Sequence, residues 1–162
     1  MNRAWRTWLV IVTAVYLAMP VSALAWTPIV ITRVVDGDTI RARIGGESEE
    51  IRIRLYGIDA PERRQPYGQQ ATRAMKSLTN GEQAEMEVMD KDRYGRTVAL
   101  IRVGGQDINE RMVADGYAWV YPRYCRAAFC GGWRSLEKAA RAAKRGLWQD
   151  DDAMPPWKWR HR

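Results

Sequence analysis

The apolar positions of this chain fall into short alternating runs separated by turn residues. Pro28–Val35 is apolar and rich in β-branched residues, which predicts a first strand ended by the turn pair Asp36-Gly37. Ile40, Ala42 and Ile44 then share one face of Thr39–Ile44, with Arg41 and Arg43 on the other. After Gly45-Gly46, Ile51, Ile53 and Leu55 alternate with Arg52, Arg54 and Tyr56. Residues two apart point to the same side of a strand, so these runs predict three antiparallel strands in a meander. Ala84, Met86 and Val88 alternate in the same way with Glu85, Glu87 and Met89, and Val98–Val103 is the returning strand beyond the charged turn Asp90–Arg96.

Between and after the strands the period changes. Ala71, Ala74, Met75 and Leu78 recur at helical spacing and predict a helix over Tyr67–Leu78, stopped by Asn80-Gly81. A short helix is predicted from about Asp107 to Asp115, closed by Gly116. Tyr117–Tyr124 reads as strand-like up to Pro122. Gly131-Gly132 is expected to break the chain before a last amphipathic helix, Ser135–Lys144, with Leu147 and Trp148 folding back on the core. Five short strands, a helix after the third and helices after the fifth predict an α+β domain. Its natural form is a five-stranded Greek-key barrel, the OB-fold, with about three covering helices, an architecture that binds oligonucleotides. An unrelated α+β sandwich shares this spacing.

Residues 1–25 stand apart. Arg3 and Arg6 precede an apolar run from Trp8 to Met19, and Ala23-Leu24-Ala25 fits a small-residue cleavage site. They are read as a secretory signal, which places the mature protein in the periplasm or outside the cell; the alternative is an uncleaved membrane anchor. The barrel domain then spans residues 26–149, and residues 150–162 form a charged tail with Pro155-Pro156, expected to be mobile. Removal of the leader takes the formal charge from +7 to +5, a basic balance that favours anionic partners. Cys125 and Cys130, the chain's two cysteines, are expected to form a disulfide after export, a metal pair being the weaker reading.

The one histidine, His161, lies beside the chain end. Triads, two-histidine ribonuclease chemistry and His-ligated zinc hydrolysis therefore lose their central residue. Carboxylates, arginines and a hard cation remain. Asp36-Gly37-Asp38-Thr39 sets two carboxylates at a strand end, and Asp59-Ala60-Pro61-Glu62 sets two more on a proline corner. The predicted hairpin brings Asp38 back towards Asp59 and Glu62. Arg54 and Arg96 suit a phosphodiester whose transition state gains negative charge. Each motif alone also has a plain reading as a turn, a helix start or a solvated surface residue.

Together, Val35-Asp36-Gly37-Asp38-Thr39, Arg54-Leu55-Tyr56-Gly57-Ile58-Asp59-Ala60-Pro61-Glu62, Asp92-Arg93-Tyr94-Gly95-Arg96 and Gly146-Leu147-Trp148 occur in the order of one family. The chain resembles the staphylococcal nuclease, or thermonuclease, family from about Ile29 to Trp148. The resemblance implies a Ca²⁺-dependent endonuclease that hydrolyses DNA and RNA at the P–O5′ bond and leaves 3′-phosphate ends. It implies Ca²⁺ held by Asp38, Asp59 and the Ala60 carbonyl, with Asp36 nearby. Glu62 is implied as the general base, Arg54 and Arg96 as phosphate ligands, Tyr94 as a nucleotide-phosphate contact, and Tyr121 and Tyr124 as contacts to the 3′ nucleotide. Ala60 replaces a familiar threonine, which a carbonyl ligand tolerates. The expected state is a monomer with nucleic acid as its partner and no stable protein partner, with a membrane involved only if the leader is retained. A non-catalytic nucleic-acid-binding module on the same barrel is the rival reading.

Overall fold

The period-2 runs become strands because each puts its apolar residues on one side. A computed structural model describes residues 26–79 and 83–162; the leader and the Asn80-Gly81 helix stop lie outside the described residues. The elements are β1 (Thr27–Val34), β2 (Thr39–Ile44), β3 (Glu50–Leu55), β4 (Ile58–Asp59), α1 (Gly68–Thr79), β5 (Gln83–Lys91), β6 (Thr97–Val103), β7 (Gln106–Asp107), α2 (Ile108–Ala114), β8 (Trp119–Val120), α3 (Cys130–Ala142), a 3₁₀ turn (Gly146–Gln149) and α4 (Pro156–Trp159).

β1 pairs antiparallel with both β2 and β5, β2 with β3, and β5 with β6. A parallel contact between β3 and β6 closes these five strands into the expected OB-fold barrel. Parallel neighbours need a crossover, and here the chain passes through α1 and β5 before β6 reaches β3. Ile29, Ile31, Ile40, Ala42, Ile53, Leu55, Ala84, Met86, Ala99 and Ile101 are the buried strand residues that fill the interior. Burial of such side chains contributes about 1.5–3 kcal/mol each for the larger ones.

One strand departs from simple alternation. The β5–β6 register slips between Val88 and Asp90, a bulge that inserts an extra residue on β5. Val88, expected inside with Ala84 and Met86, is therefore half exposed, and Met89 packs on the core instead.

The helical cover is locked by one buried amide. Asn109 of α2 is fully buried; its Oδ1 accepts the Ile101 N–H at 3.0 Å, and its Nδ2 donates to the Tyr56 and Ala99 carbonyls at 3.1 and 3.2 Å. α2 is thus pinned to β6 and to the end of β3. Asp107 caps α2, its carboxylate accepting the Glu110 N–H at 2.9 Å.

Two expectations about the C-terminal third are corrected. Gly131 and Gly132 do not break the chain: α3 begins at Cys130, and both glycines sit in its first turn with open space beside them. The Cys125–Cys130 disulfide (Cα–Cα 5.7 Å) and buried Trp133 tie down this turn, offsetting the glycines' low helix propensity. Tyr117–Tyr124 supplies only the two-residue strand β8, paired with β4. The tail turns back through Pro155-Pro156 into α4, a fourth helix, and lies against the barrel.

Asn109→Leu keeps the branching of the side chain but leaves the Ile101 N–H and Tyr56 carbonyl without this partner. Urea unfolding should show a loss of about 2–4 kcal/mol, the cost of orphaning buried polar groups; a loss below 0.5 kcal/mol would refute the latch.

Candidate active site

Hairpin register brings the first two functional residues together. Thr39 on β2 faces Arg54 on β3, so Asp38, one residue earlier, meets Arg54 at the strand end. The Leu55 N–H donates to the Asp38 carbonyl at 2.9 Å, which fixes the approach. The chain then turns at Tyr56-Gly57 into β4, and the β4–β8 pairing sets Asp59 opposite Trp119. Asp38 is 3% exposed and Asp59 0%.

Two buried carboxylates this near one another repel and lose hydration. Arg54 answers both costs: its guanidinium pairs with Asp38 Oδ1 and, through Nη2, with Asp59 Oδ1 at 2.6 Å, and Nη2 also donates to the Ile58 carbonyl at 3.3 Å. The other Asp38 oxygen accepts the Ala60 N–H at 2.6 Å, and the Thr39 hydroxyl donates to Oδ1 at 3.1 Å. A buried pair is tolerated when geometry and extra hydrogen bonds compensate desolvation. Two aspartates and one arginine leave one net negative charge.

Close backbone approach sets the remaining geometry. A Cβ on Gly37 would lie 2.7 Å from the Ala60 Cβ and 2.8 Å from the Ala71 Cβ, so the Asp36–Asp38 turn is pressed against the Asp59 loop and α1. Asp36 Oδ1 accepts the Asp38 N–H at 3.1 Å, stiffening the turn. At the other corner a Cβ on Gly68 would run into the Glu62 carbonyl. Only glycine lets these segments touch.

Glu62 stands at the rim, its side chain 41% exposed. Its N–H donates to Gln65 Oε1 at 3.1 Å, and the other end of that largely buried amide donates to the Met154 carbonyl at 2.5 Å. The tail then delivers a residue that the sequence reading missed. Arg160 Nη1 lies 2.6 Å from Glu62 Oε1, and its Nη2 lies 2.8 Å from Asp59 Oδ2. Partial burial pulls the Arg160 pKa down, but hydrogen bonds to Asp59 and Glu62 outweigh it and hold the pKa well above the ordinary value. Trp157, one turn before Arg160, stacks on Tyr121 with ring centroids 4.9 Å apart and planes 6° apart. The signal for this segment was Trp157 and Trp159 themselves, large apolar rings within a charged tail.

The structure thus brings Asp38, Arg54, Asp59, Ala60 and Glu62 to one end of the barrel. It does not bring the Arg96 guanidinium to the carboxylates among the contacts of the described residues. β3 and β6 run side by side with Arg54 opposite Val98, so Arg96 lies just ahead of the neighbouring strand, in the β5–β6 turn. Its Nε, however, pairs with Asp92 Oδ2 at 2.6 Å, because Asp92 organises the whole β5–β6 turn and also accepts the Tyr94 and Arg96 N–H groups, each at 2.9 Å. Burial pushes the Asp92 pKa up, and these hydrogen bonds more than reverse it, leaving the carboxyl below its usual value. Tyr94 is 69% exposed, with the Arg93 and Arg96 guanidinia 4.8 and 5.6 Å from its ring centroid. Tyr121 and Tyr124 meet edge to face at 4.8 Å, with Tyr124 exposed.

Among the described residues no group of three or more His, Cys, Asp or Glu side chains is arranged to hold a metal ion. The protein's own donors at this end are the two buried carboxylates and backbone oxygen. That set suits a hard cation that keeps much of its water, and the residual negative charge is of the right sign.

A closed OB-fold barrel with carboxylates and arginines converging at one end defines a class, the phosphodiester hydrolases of this fold. Comparison with known proteins is specific. The staphylococcal nuclease homologue family matches residues 52–150. The chain is 43% identical over 133 residues to an uncharacterized endonuclease of Escherichia coli O157:H7, covering 82% of this chain and 84% of that one. It is 38% identical over 151 residues to a micrococcal nuclease of Shigella flexneri, covering 86% and 85%. A probable staphylococcal-like nuclease of Oryza sativa subsp. japonica is 39% identical over 113 residues, 70% of this chain and 33% of that longer protein. The chain belongs to the staphylococcal nuclease family and, as a member, is a nuclease.

The Arg54 bridge makes a stability prediction independent of activity. Arg54→Met should cost about 3–5 kcal/mol in urea unfolding at neutral pH, since it strands two buried carboxylates. A cost below 1 kcal/mol would show that the bridge does not hold this corner.

Proposed function

We propose that the protein is an exported, Ca²⁺-dependent nuclease that hydrolyses DNA and RNA at the P–O5′ bond and leaves 3′-phosphate ends. The observation that carries this reading is the convergence of two buried aspartates, a shared arginine and a rim glutamate at one end of an OB-fold barrel. Asp38, Asp59 and the Ala60 carbonyl are the residues that would hold the cation, with Asp36 supporting their turn. The cation, when bound, supplies positive charge that polarises a phosphoryl oxygen.

The chain's own groups account for the rest. Glu62 stands at the solvent rim, where its carboxylate can accept a proton from the attacking water. The water oxygen bonds to phosphorus, the P–O5′ bond breaks, and the departing O5′ takes a proton from solvent. Arg54 and Arg96 stabilise the charge that grows on the phosphoryl oxygens. For Arg96 this requires the guanidinium to exchange its Asp92 partner for the phosphate. Tyr94, Tyr121 and Tyr124 offer aromatic surface and hydroxyls to the nucleotide chain.

Cleavage of labelled DNA should stop when Ca²⁺ is chelated and resume when it is restored. Glu62→Gln, which keeps size but cannot take the proton, should lower turnover about 100-fold or more while DNA binding persists. Cleavage that continues in chelator would overturn the cation, and binding without cleavage under every divalent condition would favour the binding-module reading. For export, intact mass of secreted protein should correspond to a chain starting at Trp26; a full-length mass would mean that the leader is retained.

A further inference from the structure

The tail is the part of the site that the family resemblance, which ends near Trp148, does not cover. It lies on the page as a built element. Gln65 grips two segments with one side chain: its Oε1 takes the Glu62 N–H, and its Nε2 holds the Met154 carbonyl. Trp157 is stacked flat on Tyr121 and packs against the Trp119–Trp148 cluster. Tyr67, also packed on that cluster, accepts the Gln149 amide at 2.8 Å. Pro155 and Pro156 stiffen the connection, with proline opening α4. These contacts aim one guanidinium at the two carboxylates Asp59 and Glu62.

We infer that Arg160 is a positioning residue for the nuclease reaction, holding the Glu62 carboxylate beside Asp59; this rests on Glu62 being the base. Among the described residues Arg160 is the one side-chain partner of the Glu62 carboxylate. Glu62 otherwise lies on a loop, anchored through its backbone alone, and its long side chain has rotamer freedom to lose. It also faces repulsion from Asp59, which is fully buried. A planar guanidinium solves both problems, because its two Nη atoms reach two carboxylates at once. A lysine has the charge without the fork. Placement of a base to within about an ångström is worth roughly 100-fold in rate. The effect acts on the reacting water through Glu62, so it belongs to kcat rather than to substrate affinity.

The experiment is steady-state cleavage of a DNA oligonucleotide in Ca²⁺ by the full mature chain, wild type against Arg160→Ala and Arg160→Lys, with amide hydrogen exchange over residues 62–65. Arg160→Ala should lower kcat about 10- to 100-fold with KM within about 3-fold. Arg160→Lys should fall between Arg160→Ala and wild type. Exchange of the 62–65 amides should quicken several-fold in Arg160→Ala, with the thermal midpoint little moved. A kcat at or above wild type would make the tail an obstruction and overturn the inference. So would a loss confined to KM, an Arg160→Lys equal to wild type, or unchanged exchange. If wild type and Glu62→Gln differ as expected while Arg160→Ala behaves as wild type, the inference fails alone. If wild type cuts nothing with any divalent cation, the nuclease mechanism fails, and hydrogen exchange still decides whether Arg160 holds the loop.

Discussion

One guanidinium joins three successive strand ends of this molecule. Arg54 leaves β3, meets Asp38 at the start of β2, and meets Asp59 on β4. Without it, two carboxylates buried at one barrel end would each pay the desolvation of an unpaired charge, several kcal/mol after relaxation. Arg54 therefore offsets a cost that closing the barrel at this end would otherwise carry. The same pairing sets two carboxylates against one guanidinium at this end of the barrel. Fold and proposed chemistry share one interaction, since the residues that stabilise the corner are those proposed to hold the cation.

The C-terminal segment adds a second, peripheral layer. Trp148 meets Trp119 edge to face at 5.0 Å, and the Leu147 and Trp148 side chains are buried in that small cluster. From this anchor the chain has only a few residues before Pro155-Pro156 redirects it, and Trp157 then finds Tyr121. Aromatic stacking of this kind contributes about 0.5–1.5 kcal/mol beyond area burial, enough to favour one path for a short, proline-stiffened segment. Arg160 arrives at the acidic rim because its charge is drawn there and because the path ends there.

Much of this was legible in the sequence, for physical reasons. Alternation in Thr39–Ile44 and Ile51–Leu55 leaves little freedom of register, because a one-residue slip would expose Ile40 and Ile53. The hairpin then carries Asp38 to Arg54 without further information. Asp59-Ala60-Pro61-Glu62 was readable for the same reason, since proline limits the corner. The failures came where tertiary contacts override local signals. Gly131-Gly132 reads as a break, yet a disulfide and buried Trp133 hold it in a helix. Val88 fits the β5 alternation until the bulge turns it out. The stacking surface for Trp157 was not legible either, since it is supplied by Tyr121, far away in sequence. Arg96 was read at the end of the charged turn before the returning strand, where it lies, but its partner Asp92 is a local contact that spacing does not rank against a distant phosphate.

The central claim is that the Asp38–Arg54–Asp59 corner is the cation site of a nuclease. A crystal structure of the mature protein grown in Ca²⁺ tests it most directly. The account predicts a single strong density peak within about 2.3–2.6 Å of Asp38 and Asp59 carboxylate oxygens and the Ala60 carbonyl, with Arg54 still bridging and water completing the shell. A corner without cation density at saturating Ca²⁺, or a cation bound elsewhere on the barrel, would contradict it.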